Sequence, residues 1–162
     1  MIAIDKRLLV QELRAGLGRE IEVLRAAARD AREAATHEEA KPENDKDTRA
    51  IEAAYLAGAQ ADRVRELERV VNALEFLALR DLREGDTIGL SALVELEQGG
   101  VRAHYFLAPV GGGLRASPGG VEVQVVTPQS PMGQALVGKT AGDVVELRVK
   151  QGRREYEIVS VR

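Results

Sequence analysis

The chain has 162 residues, a formal net charge of −3, 30% charged residues and 44% hydrophobic ones. That size fits one ordinary domain or two small ones, and the slightly acidic balance excludes a strongly basic protein that grips nucleic acid through its phosphates. Cysteine is absent and aromatics make up only 3%, which excludes disulfides and cysteine-held zinc and leaves the core to Leu, Val, Ile and Ala.

Met1 to Arg7 lacks the apolar run of a signal peptide, and no window approaches the roughly 20 apolar residues of a membrane span. A soluble cytoplasmic protein with no membrane partner is therefore expected. From Asp5 to about Asp81 the only proline is Pro42, and Ala, Arg, Glu and Leu dominate. Leu13, Leu17, Ile21, Leu24, Ala28, Ala31 and Ala35 recur at spacings of three or four, the mark of a coiled-coil seam. A second seam runs through Ile51, Ala54, Ala57, Ala61, Val64, Leu67, Val71 and Leu74. Between them Thr36 to Asn44 loses the period, so the two helices are expected to fold back as an antiparallel hairpin. Leu and Ile fill the base of the seams and Ala the far end. The arm should therefore be slim, about 45 Å long for roughly thirty residues per helix.

Tyr55 and Phe76 fall near the seams and are expected to pack there. Arg25, Arg29, Arg32, Arg63, Arg65 and Arg69 could form a basic face, but they alternate with Asp30, Glu33, Asp62, Glu66 and Glu68. Solvated ion pairs are the better expectation. Composition then shifts to Gly, Pro and Val near Leu82 to Thr87, where Glu84-Gly85-Asp86 reads as a turn. The expected division is residues 1–81 as the arm, with its tip near 38–47, and 82–162 as a second domain.

The second domain reads as strands. Thr87 to Glu97 and Val101 to Leu107 flank a hairpin at Gln98-Gly99-Gly100, and Val121 to Val126 gives a third strand. Gly111-Gly112-Gly113 precedes no convincing helix and reads as a flexible turn, not a phosphate cradle. Ser130-Pro131 is a helix start: a hydroxyl to cap orphan amides, then a residue preset for the first turn. Gln134 to Val137 continues it, and Gly138 closes it. Val144 to Val149 is a β-rich run, Gln151-Gly152 a hairpin tip, and Tyr156, Ile158 and Val161 belong to the returning strand.

The serine-proline, the ALxGKxxGD spacing from Ala135 to Asp143 and the closing Tyr156-Glu157-Ile158 resemble the C-terminal domain of the Gre transcription elongation factors. That resemblance implies an α+β fold: an N-terminal antiparallel α-helical coiled-coil hairpin followed by a C-terminal FKBP-like β-rich domain. It implies a monomeric partner of RNA polymerase, docked through the loop holding Ser130 and Pro131. The arm would enter the secondary channel and meet nascent RNA indirectly. It also implies no catalytic activity of the chain's own and no cofactor bound alone. The family's two acidic tip residues help hold a Mg2+ shared with the polymerase active site, where metals bracketing a phosphodiester promote its hydrolysis.

At the tip the stretch Glu39 to Ala50 departs from the family run, which is similar to GDLSENAEYHAA. Glu43 and Asn44 match, making Glu43 the first acidic and metal-binding candidate. Ala40 occupies the other acidic position, so Glu39, one residue away, or Asp45 would have to supply a second carboxylate. Three functions follow from these residues. The first is a polymerase regulator, either stimulating RNA cleavage or occupying the channel as an inhibitor. The second is an FKBP-like isomerase or chaperone, weakened because only Tyr105, Phe106 and Tyr156 could line an aromatic pocket. The third is a self-associating coiled-coil adaptor, weakened by the alanine-rich far end.

Overall fold

A computed structural model describes residues 3–38 and 46–162. Two long helices, α1 (Lys6–Glu38) and α2 (Lys46–Glu75), precede a six-stranded sheet. Its strands are β1 (Leu93–Gln98), β2 (Val101–Leu107), β3 (Arg115–Ala116), β4 (Val123–Val126), β5 (Val144–Val149) and β6 (Gly152–Val161). A short helix, α3 (Pro131–Leu136), lies between β4 and β5. This is the expected α+β architecture, helical hairpin first and β-rich part second. Among the described residues no helix is long and apolar enough to cross a membrane.

α1 starts at Asp5, whose Oδ1 accepts from the Arg7 N–H at 2.8 Å, satisfying one of the orphan amides of the first turn. The helices run antiparallel: Arg14 near the start of α1 meets Glu75 at the end of α2 at 3.4 Å, and Arg25 further along meets Glu68 at 2.5 Å. The chain divides into two compact units, one of Met1–Arg14 with Ala73–Arg162 and the other of Ala15–Asn72.

Within Ala15–Asn72 the seam is buried at Leu17, Ile21 and Leu67 and then opens. Leu24 and Ala28 are half-buried, and Ile51 and Tyr55 on α2 are 70% and 79% exposed. Both side chains stand open to solvent, so the expectation that Tyr55 packs is corrected. So is that for Phe76, which lies just past the end of α2 and is 83% exposed.

The sheet order is β3-β4-β2-β1-β6-β5. β1 pairs antiparallel with both β2 and β6, while β2 and β4 run parallel, with Phe106 opposite Val125. Side chains alternate between faces. One face carries Val94, Leu96, Leu107, Val126, Val145 and Ile158, closed over by Leu136 of α3. The other buries Leu93, Phe106, Val123 and Val125.

The first strand starts at Leu93, not at Thr87. Ser91 holds the left-handed conformation at φ 67° and is fully buried, its hydroxyl accepting from the Arg80 N–H at 2.9 Å. The chain before it turns away, and Ile88 instead bridges to the loop after α3: its N–H donates to Lys139 O at 2.8 Å, and its carbonyl accepts from Gly138 N–H at 2.9 Å. The turn at Gly85 is present at φ 88°, with Asp86 N–H donating to Arg83 O at 3.0 Å.

Candidate functional site

The expected site has two parts. The tip candidates Glu39, Glu43 and Asp45, with Ala40, lie outside the described residues. Among the described residues no group of three or more His, Asp or Glu is arranged to hold a metal ion. Several of the arm's arginines are engaged as ion pairs: Arg29 with Glu22 at 3.0 Å, Arg63 with Glu66 at 3.0 Å and Glu20 at 3.2 Å, and Arg65 with Asp62. The hydrogen bonds that the Arg63 guanidinium donates to Glu66 and Glu20 raise its affinity for its proton. All are exposed, so they keep the arm solvated and add little stability.

The second part is the loop leading into α3. Ser130 sits in extended backbone at φ −68° and ψ 154°, and its Oγ accepts from the Gly133 N–H at 3.0 Å. The same hydroxyl donates to Thr127 O at 2.7 Å. The hydroxyl thus donates one bond and accepts another inside the loop, tying the end of β4 to the first turn of α3. Pro131 follows at the position where a missing N–H costs nothing and is exposed. Ser130 and Pro131 are therefore brought together with different roles: the serine shapes the loop and the proline ring presents outward. Gln129, Gln134, Val137 and Lys139 are exposed beside them, Val137 at 45%.

Sequence reading missed Gly133. A Cβ there would stand 1.8 Å from Thr127 O and 2.7 Å from its carbonyl carbon, so only glycine lets the loop close on the helix. The signal was the glycine itself, three residues after the cap and inside a helix where glycine is disfavoured. The ALxGKxxGD residues build the next corner. Leu136 is fully buried, Gly138 takes φ 80°, and Asp143 Oδ2 accepts from Thr140 N–H at 2.9 Å.

On the opposite face of the sheet a cavity of about 330 Å³ is lined by Ile4, Leu93, Glu95, Arg102, His104 and Ser160, among others. Arg102 bridges Glu95 at 3.0 Å and Glu97 at 3.1 Å, and Ser160 Oγ lies 3.2 Å from Glu95. Tyr105, Phe106 and Tyr156 are not among its lining residues, so it is not the aromatic pocket an FKBP-like ligand site needs. Tyr105 is half-buried toward the α3 side, and burial first, then the neighbouring Tyr156, push its phenol above the ordinary 10.0.

Residues 106–162 match the family described as transcription elongation factor, GreA/GreB, C-terminal. The chain is 30% identical over 122 residues to the transcription inhibitor protein Gfh1 of Thermus thermophilus, covering 73% of each chain. It is 32% identical over 101 residues to the transcription elongation factor GreA of Xylella fastidiosa, covering 61% of this chain and 60% of that one. Among solved structures, Gfh1 of Thermus aquaticus aligns with a TM-score of 0.42 at 24% identity, over 95% of this chain and 96% of that one. With identity of 30% running across nearly three quarters of both chains and the GreA/GreB C-terminal pattern on the β-rich part, this chain belongs to the Gre family of transcription elongation factors.

Proposed function

We propose that the protein regulates transcription by binding RNA polymerase through the loop at Ser130 and Pro131 and placing its helical arm in the secondary channel. The observation that carries this reading is the construction of that loop. A capped serine, an outward proline and an obligatory glycine hold a small exposed surface rigid on the sheet. Rigid presentation lowers the ordering cost of docking. The arm fits the second half of the proposal: two long, narrow helices whose outer faces are charged and ion-paired, suited to a water-filled passage. Any Mg2+ at the polymerase centre would supply Lewis-acid stabilisation of the scissile phosphate. On this chain Glu43, with Glu39 or Asp45, would be the residues facing it.

Of the two outcomes, occupancy without cleavage is favoured by one residue. Ala40 stands where the family's run places a second acid, and a methyl group cannot share a cation. A relative matched over 73% of its length bears the name of a transcription inhibitor, which supports the same direction.

The test is a backtracked RNA polymerase complex with Mg2+, read as 3′ shortening of the RNA on a gel. The expected result is no shortening by the protein alone, together with competition against an authentic cleavage-stimulating Gre factor. Shortening that is lost in Glu43→Ala would make the chain a cleavage factor instead. Neither shortening nor competition would remove the polymerase reading.

A further inference from the structure

β5 is one of the two edge strands of the sheet and pairs only with β6. The hairpin fixes which of its backbone groups face outward. The register runs Val149 opposite Gly152, Leu147 opposite Arg154 and Val145 opposite Tyr156, and it continues to Asp143, whose carbonyl accepts from the Ile158 N–H at 2.9 Å. Hydrogen-bonded pairs alternate along an antiparallel ladder. The odd-numbered residues therefore turn N–H and C=O toward β6, while Val144, Glu146 and Arg148 turn theirs away from the sheet. β5 holds no proline and its pairing from Val144 to Val149 is continuous, the bulge lying just before it, where the Gly142 N–H and the Asp143 carbonyl both bond Ile158, so two usual blocks to edge pairing are missing along the strand itself.

The side chains on this strand carry a further signal. Within the hairpin Glu146 stands directly opposite Glu155, and Arg148 directly opposite Arg153. Like charges facing each other across strands are unfavourable; Glu146 already reaches diagonally to Arg153 at 3.2 Å, and a strand arriving on the open side could offer Arg148 a carboxylate as well. A second copy of β5 does so in one register. Antiparallel pairing at the outer edge must set an outward residue opposite an outward residue, which leaves three central alignments. Two of them put Glu146 opposite its own counterpart or Arg148 opposite its own, repeating the conflict. The third places Leu147 on the two-fold axis. Glu146 then faces the second copy's Arg148 twice, and on the other side of the sheet Val145 faces the second copy's Val149 twice.

We propose that the protein forms a weak, symmetric dimer by joining two β5 edges with Leu147 on the axis, making one continuous twelve-stranded sheet from two six-stranded ones. Val144 is 60% exposed, and Leu147 and Val149 are half-buried, so apolar cover adds to the paired charges. Among the described residues, the ion pair the dimer disturbs is the exposed one between Glu146 and Arg153 at 3.2 Å, a small loss. A seam one strand wide is below the standard interface, so association belongs at high concentration. The inference does not depend on the polymerase reading.

The experiment is sedimentation velocity on the full chain from about 1 µM to about 1 mM. The wild type should shift from monomer to dimer across that range. Glu146→Arg alone and Arg148→Glu alone should each weaken the dimer about tenfold or more, because each turns attractive cross-strand pairs repulsive. The two single variants mixed together should dimerise again, as should the double variant E146R/R148E, in which the signs are exchanged. Recovery on mixing also shows that each variant is folded. A wild type that stays monomeric to the top of the range overturns the proposal. So does a dimer indifferent to the single reversals, or one that neither mixing nor the double exchange restores.

Discussion

The Ser130 hydroxyl ties the end of β4 to the first turn of α3. Its capping role follows from its place before Pro131, and the structure places Oγ 3.0 Å from the Gly133 N–H. The second bond, to Thr127 O at 2.7 Å, depends on how β4 enters the loop, and no local pattern encodes it. Ser130→Ala should therefore cost about 0.5–2 kcal/mol in urea unfolding, whereas Ser130→Thr, which keeps both donor and acceptor, should stay close to wild type. If polymerase binding is measured alongside, it should fall with the alanine variant and survive the threonine one. Gly133→Ala should be more severe, about 1–3 kcal/mol or beyond, because its methyl would overlap a backbone carbonyl that cannot swing away.

Tyr105 gives a pH prediction. Its folded value is raised above 10.0, so the native state keeps its proton where the unfolded chain gives it up. The stability it contributes is fully present below 10.0 and is lost as pH climbs through the raised value. Thermal unfolding followed from neutral pH to above pH 10 should show a shallower alkaline decline in Tyr105→Phe than in the wild type.

At the scale of the elements, the helices were readable because periodicity is a property of the sequence itself. Their pairing was only half readable. The leucine end of the seam, from Leu13 to Ile21 and at Leu67 and Leu74, is buried, but further along Leu24 and Ala28 are only half-buried and Ile51 and Tyr55 stay exposed. Spacing tells which residues share a stripe; it does not tell whether the opposite stripe is thick enough to bury them. Leu17→Ala or Leu67→Ala should cost about 2–5 kcal/mol. Tyr55→Ala should fall within about 0.5 kcal/mol of wild type, and a large loss there in urea unfolding would mean that the stripe is covered in solution. The strands were legible from Val101 onward for the same reason as the helices. Thr87 to Ala92 misled because an alternating pattern gives no hint that Ser91 will adopt φ 67°. The pair β3 and β4 was only partly foreseen, since a two-residue strand is set by its neighbour and not by its own composition.

For the whole molecule, the candidate site divides by how each half is encoded. The loop at Ser130 is written in local chemistry and stands in the structure where the sequence places it. The tip is a matter of which carboxylates gather at one point, and Glu39, Glu43 and Asp45 lie outside the described residues. Its prediction is correspondingly functional: in competition for polymerase against a cleavage-stimulating Gre factor, Pro131 variants should lose affinity, while Glu43→Ala should compete as well as the wild type.

The compact unit that carries the sheet is assembled from both Met1–Arg14 and Ala73–Arg162, so the arm is an excursion within it. A ribosome makes these two stretches far apart in time. Leu9, Val10 and Leu13, all buried in the finished protein, emerge early and must wait while the whole hairpin is synthesised before the strands of their own unit exist. The hairpin is thus completed before the strands, and a pause in synthesis after α2 would leave that early apolar turn without the rest of its own unit.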